Sequence, residues 1–269
     1  MVSQHKLSGF GSRVVIIASL LLGGCLLETR NIAQAATIVA PGNLSNIEGN
    51  QNNNIPFNDF AVSPEGIRYQ QVFAATDFLS IEPGLITQIA FRPNAGRSGN
   101  AFSSTIPKIQ INLSTTSLLP DALSTTFTEN VGNDERIVYD GELFVSSANI
   151  GARRGPKDFD IVIDLQNPFF YDPNKGNLLL DIKTFSFTRT TAFDSENALG
   201  DSMSRVLSFD PNAATGEIAD TTGLVAKFTT TIRTPPIALI PESSSTLALL
   251  AFGALSAISQ VKRSLSTPK

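Results

Sequence analysis

Between residues 64 and 232 the chain alternates apolar and polar side chains in short runs. In "KIQINLST", Ile109, Ile111 and Leu113 fall on one side of an extended chain, and Lys108, Gln110 and Asn112 on the other. Successive side chains of a strand point to opposite faces, so a period of two marks a half-buried strand. "DFDIVIDL" repeats the pattern, with Phe159, Ile161, Ile163 and Leu165 inward and Asp158, Asp160, Val162 and Asp164 outward. "RYQQVFAA", "ITQIAFR", "NLLLDIKTF", "SRVLSF" and "LVAKFTT" read as further strands. "RIVYDGELFVSS" reads as one long strand or as a hairpin bent at Asp140 and Gly141. Clusters such as "NPFFYDPNKGN" and "FDPNAATGE" supply the Asn, Asp, Pro and Gly that turns require. No long 3.6-residue stripe interrupts this series, and "SLLPDALSTTF" has room for one helical turn after Pro120. About eight to ten short strands with such punctuation predict an all-β fold, a single antiparallel β-sandwich of jelly-roll type.

The two ends break the alternation. Residues 1–13 carry Lys6 and Arg13 and no acid, the 14-residue apolar run "VVIIASLLLGGCLL" follows, and "AQA" at Ala33–Ala35 is a small-x-small cleavage site. That order predicts a secretory signal peptide with a short helix over residues 1–35, read by the Sec translocon and cut between Ala35 and Ala36. The rival reading is a lipoprotein leader, because "LGGC" ends at Cys25. At the other end, residues 246–261 contain no charge and are followed by Lys262 and Arg263. As a helix this stretch rises about 24 Å, against a hydrocarbon core about 30 Å thick. It is a short membrane span whose basic end stays on the cytoplasmic side. The alternative, a helix packed on the domain, would need a polar stripe, which Thr246, Ser256, Ser259 and Gln260 do not form.

The C-terminal order is Pro241-Glu242, a serine link, the apolar segment, then Lys262-Arg263. It resembles the PEP-CTERM protein-sorting signal of Gram-negative bacteria, with Ser243 standing where the family has a second proline. The resemblance implies transient retention in the inner membrane and cleavage near Pro241-Glu242 by an exosortase-type enzyme. The product then goes to the cell surface or the extracellular matrix. The run from "RYQQVFAA" to "DSMSRV", within residues 64–230, is similar to an uncharacterised domain that recurs in such proteins. The chain therefore divides into a signal peptide (1–35), an N-terminal strand and polar loop (36–63), the β-sandwich (64–232), a linker with the sorting motif (233–245), the sorting helix (246–261) and a basic tail (262–269).

Composition narrows the chemistry. Of 24 acidic and 20 basic side chains, two acids and six bases lie in the two ends, which leaves residues 36–240 at about −8. That charge disfavours nucleic acid, which requires a basic face. The one cysteine, Cys25, and the one histidine, His5, both lie in the leader. The exported part therefore has no disulfide, no Ser-His-Asp or Cys-His centre and no ordinary zinc site. Two catalytic options survive, a carboxylate pair of glycosidase type, with Asp158, Asp160 and Asp164 as candidates, and a Ser-Lys dyad, for which no spacing singles out a pair. The alternation of these aspartates with apolar residues equally describes a solvated strand face.

Three non-enzymatic expectations follow. Calcium takes six to eight oxygens from loops, and "YDPNKGN" and "FDSENALGD" offer Asp172, Asn174, Asp194, Glu196 and Asp201. Tyr69 and Gln70 are candidates for carbohydrate contact on a concave sheet, since an aromatic ring beside polar groups suits a sugar. The expected role is non-enzymatic, structural or binding, at the cell surface or in the matrix. Binding of an extracellular polysaccharide is the alternative, and a secreted carboxylate-dependent hydrolase is a third.

Overall fold

The computed structural model describes residues 33–57, 66–97, 99–152, 155–186 and 188–233. The predicted leader helix, Cys25, the sorting motif Pro241-Glu242, the C-terminal apolar segment and Lys262-Arg263 lie outside the described residues. Among the described residues no helix is long and apolar enough to cross a membrane.

Thirteen strands are described, and every pairing between them is antiparallel. In chain order they are β1 (Ala33–Ala40), β2 (Gln51–Asn53), β3 (Ile67–Phe73), β4 (Gly84–Phe91), β5 (Phe102–Thr116), β6 (Arg136–Ser147) and β7 (Ile161–Tyr171). Then come β8 (Asn177–Thr184), β9 (Phe193–Asn197), β10 (Met203–Ser208), β11 (Ile218–Asp220), β12 (Thr222–Leu224) and β13 (Ala226–Arg233). They form a four-stranded sheet β1-β13-β4-β7, a six-stranded sheet β11-β10-β3-β8-β5-β6 and a three-stranded sheet β12-β9-β2. The all-β expectation from the alternating pattern agrees with this architecture.

One apolar cluster joins all three sheets. Ile89, Phe91, Ile163 and Phe228 come from the four-stranded sheet, Phe73, Ile111, Leu180 and Val145 from the six-stranded one, and Phe193 and Leu224 from the smallest. Phe73 meets Phe228 edge to face at 5.2 Å, and Phe78 meets Tyr171 in the same way at 5.2 Å. Such aromatic pairs add to the hydrophobic gain from burying the rings.

The long β6 runs straight through Asp140 and Gly141, so "RIVYDGELFVSS" is one strand. The pairing has two irregularities, one with Val138 of β6 as the extra residue between the partners of Ile111 and Asn112, the other on β5. Ile106 faces Leu143 and Ile109 faces Gly141, so Pro107 and Lys108 together oppose Glu142. This bulge sits where Pro107 has no N–H to give a ladder. A larger bulge interrupts β7, where residues 165–168 stand against Thr87 of β4. From it, Gln166 reaches across to β6. Its Nε2 donates to the Asp140 carbonyl at 3.2 Å, and its Oε1 accepts the Asp140 N–H at 3.0 Å. Asn167 Nδ2 donates to the Ile137 carbonyl at 3.3 Å. Side-chain amides thus stitch the outer strand of one sheet to the outer strand of the other.

The single described α-turn, α1 (Phe127–Asn130), lies later than the one expected after Pro120. Leu119–Ala122 is instead a tight turn closed by the Ala122 N–H on the Leu119 carbonyl. The position of α1 decides the fate of β3. Arg68 stacks 4.4 Å from the Phe127 ring centroid, Gln70 Nε2 donates to the Phe127 carbonyl, and Asn130 Nδ2 donates to Gln70 Oε1. The β5–β6 connection therefore covers β3 on the face of Arg68 and Gln70, and all seven residues of β3 are buried.

Candidate functional site

The expected carbohydrate contact is corrected by this packing. Tyr69 and Gln70 are both fully buried. Tyr69 sits opposite Ile182 of β8 and Leu207 of β10 and clusters with Ile67 and Leu207. Its hydroxyl donates to Gln71 Oε1 at 2.5 Å, and burial pushes the phenol well above its ordinary pKa. Gln70 bonds Asp181 at 2.7 Å, and Asp181 also takes Arg68 at 2.8 Å. Neither residue offers a face to a ligand, because a second layer that the alternating pattern does not reveal covers β3.

The calcium candidates lie at separate places. Asp172 and Asn174 share the β7–β8 turn, where Asp172 Oδ1 accepts both the backbone N–H and the Nδ2 of Asn174. Gly176 completes that turn with φ +153°, and the Thr116 carbonyl would lie 2.5 Å from any added Cβ. Asp194 and Glu196 are on β9 but do different work. Asp194 is fully buried and pairs with Arg92 Nε at 2.7 Å, while its Oδ1 accepts the Gly49 N–H. Burial raises the Asp194 carboxyl, and Arg92 opposes the shift. Arg92 also donates to the carbonyls of Leu44 and Ile47, so the pair anchors the segment between β1 and β2. Glu196 accepts the N–H and the Nδ2 of Asn50. Among the described residues, no group of three or more His, Cys, Asp or Glu stands close enough to hold a metal ion. Of the three candidate carboxylates, Asp158 is exposed ahead of β7, Asp160 accepts the Ala148 N–H, and Asp164, exposed on β7, takes Gln88.

Asp201 is different, because it joins two acids that the sequence reading did not single out. An open basin of about 590 Å³ is lined by Asp77, Asp121 and Asp201, with Asn43, Leu119 and Ser202 among its other walls. Asp77 comes from the 3-10 turn Ala75–Phe78 that follows β3, Asp121 from the β5–β6 connection and Asp201 from the β9–β10 loop. Each carboxylate spends an oxygen on a loop. Asp77 Oδ1 accepts the Gly42 N–H at 3.0 Å, Asp121 Oδ2 the Gly200 N–H at 2.8 Å and Asp201 Oδ1 the Met203 N–H at 2.9 Å. The second oxygens of Asp77 and Asp201 are buried and have no hydrogen-bond partner. Asp121 holds a left-handed backbone, φ 62°, which Asp tolerates better than most residues. Its own N–H donates to Ser204 Oγ at 2.8 Å.

Burial pushes the Asp201 carboxyl up to about 6. The Met203 N–H opposes the shift, and the charges of Asp121, Glu196 and Asp77 add to it. Like charges that converge without a counter-ion favour the protonated acid. The raised carboxyl of Asp201 thus stands in the basin wall with one oxygen on the Met203 N–H and the other buried. Sequence spacing gives no sign of the basin, since its acids are 44 and 80 positions apart and meet only through the topology. Comparison with protein-family models, with curated proteins and with solved structures finds no match for this chain.

Proposed function

We propose that this is an exported protein of the cell surface or extracellular matrix, carried out by its N-terminal leader and sorted by its C-terminal signal. Its antiparallel domain, which we read as a jelly-roll-like sandwich of the four- and six-stranded sheets, has a non-enzymatic, structural or binding role. One observation carries the reading. β1 and β13 lie side by side, with Ala33 opposite Arg233, so the chain enters and leaves the domain at the same point of one sheet edge. Arg233 is the last ladder residue, so the sorting motif follows directly on the end of the domain. Pro241-Glu242 lies eight residues beyond Arg233, a reach of up to about 29 Å when extended, which gives a processing enzyme room beside the folded domain. An exosortase-type enzyme is the expected partner there.

Fractionation of the native host with an antibody to the domain tests this. Leu250→Asp should weaken membrane retention, because an acid near mid-helix costs about 2.5–3.5 kcal/mol on insertion scales. Replacing Pro241 and Glu242 by Ala should leave retention intact and make the uncut form accumulate in the membrane. If both variants distribute like the wild type, the sorting reading fails.

The basin supports polysaccharide binding as a second reading. Carboxylates and a serine hydroxyl beside Leu119 are groups that hold sugar hydroxyls and pack on apolar sugar faces. A binding screen against polysaccharides of the producer's own matrix, run with wild type and Asp121→Asn, decides it. Equal binding by both would remove the basin from consideration.

A further inference from the structure

The outer strands of the three sheets are not guarded alike. A sheet edge leaves a row of N–H and C=O groups free, and another chain can add to it unless the edge is short, charged, bulged or covered. β6 and β7 are held to each other by Gln166 and Asn167. Both also carry charges, Arg136, Asp140 and Glu142 on β6 and Asp164 on β7. β2, β11 and β12 have three residues each, and β11 ends on Asp220, which is paired with Arg205.

β1 has none of these devices. It is eight residues long, a row of about 27 Å. It closes one side of the four-stranded sheet, and its register with β13 runs from Ala33 to Ala40 without a bulge. Alternate residues of such a strand bond to the neighbour, and the backbone groups of the others point away from the sheet. Among the described residues, no other strand pairs with that outward row. Ala35 and Thr37 are exposed, and Ala36, Ile38 and Val39 are half-buried. No charged residue occurs between Arg30 and Glu48.

We infer that β1 is a self-association edge. Two copies pair antiparallel along it about a two-fold axis and join their four-stranded sheets into one of eight strands. The charge pattern selects a second copy as the occupant. Two-fold pairing sets the strand against its own reversed sequence, so a charge on the edge would meet its like from the partner. Residues 31–47 carry none, whereas the region 36–240 as a whole stands at about −8, and copies repel one another at its charged surfaces. Ala, Thr, Ile and Val are also side chains that pack well across a ladder. A chain beginning at Ala36 keeps Ala36–Ala40 for the same contact. A single strand pair buries less than the roughly 1,200 Å² at which stable interfaces begin. The dimer therefore forms at high protein concentration and comes apart on dilution.

The test uses the full chain in detergent, with micelles kept in excess, at about 10 µM and about 1 mM protein, a range that spans a weak dimer. Amide hydrogen exchange is read strand by strand. By mass action, the outward amides of β1 should exchange at least about fivefold more slowly at the higher concentration, with β6 and β7 unchanged. Thr37→Lys puts a charge on an exposed position of the edge, and its β1 exchange should not respond to concentration. Glu142→Lys, on β6, should respond as wild type does. No change in wild-type β1 exchange with concentration would overturn the inference. So would equal slowing in Thr37→Lys, which puts the contact elsewhere, or slowing that extends to β6 and β7, which is general aggregation.

Discussion

Asp201 is the side chain whose ionisation the fold changes most usefully. Its carboxyl is raised from an ordinary 3.8 to about 6, mainly by burial. A raised carboxyl contributes stability that is fully present below about pH 3.8 and lost as pH rises through about 6. Asp201→Asn keeps an oxygen for the Met203 N–H and removes the charge. The variant should therefore melt higher than wild type at pH 7 and lose that advantage at pH 4. Thermal melts from pH 4 to 7.5 check this, and a difference independent of pH would contradict it. Arg92 is the opposite case, a cation with its hydrogen bonds made inside the protein. Arg92→Met leaves Asp194 buried without its partner and strands the carbonyls of Leu44 and Ile47. Breaking one side of a buried pair costs about 3–5 kcal/mol, so urea denaturation should show a loss of that size. Adding Asp194→Asn should recover part of it. Neither role is legible in sequence. An aspartate in "FDSENALGD" reads as a loop ligand until the partner 102 positions away is known.

Among the elements, β5, β7 and β8 contain the runs read as strands, but β5 begins earlier, at Phe102, and β7 starts only at Ile161 and continues through Asn167–Tyr171, which the Asn and Pro made look like a turn. The ones that escaped are β2, β11 and β12, with three residues each, and β9, with five. Three residues hold too few alternations to show a period, and "FDSEN" looks like a turn. β3 shows the other limit. "RYQQ" reads as a half-exposed strand, yet the β5–β6 connection covers the face of Arg68 and Gln70 while Tyr69 and Gln71 are buried on the other. The bulge in β7 yields a prediction at this scale. Gln166→Ala removes two hydrogen bonds to Asp140, each worth about 0.5–1.5 kcal/mol. Exposure puts the loss near the low end. Hydrogen exchange should quicken at the Asp140 amide and its β6 neighbours, with global stability falling by about 1 kcal/mol. Unchanged exchange along β6 would show that the seam holds without Gln166.

At the scale of the molecule, the region of residues 36–240 has no cysteine, and one apolar cluster runs through all three sheets. That region alone should give a β-type circular dichroism spectrum and a single cooperative melt, at the same temperature with and without reductant. A helical spectrum, or a melt that shifts with reductant, would contradict the fold. Pairing ends as distant as β1 and β13 makes the contact order high, so refolding should fall in the millisecond-to-second range of β-rich domains. Stopped-flow refolding measures it. Composition and the alternating pattern sufficed for the all-β class. The joining of first strand to last did not emerge from them, because register between distant strands is set by the assembled core and not by either segment.

The amide seam between β6 and β7 has a consequence for copies of the domain held at high concentration. An outer strand normally presents a row of free N–H and C=O groups, and another copy of the chain can add to it. Here Gln166 and Asn167 occupy such groups on β6 at Asp140 and Ile137. Those positions are already taken by the protein's own side chains, so a second copy adding to β6 would first have to displace Gln166 and Asn167.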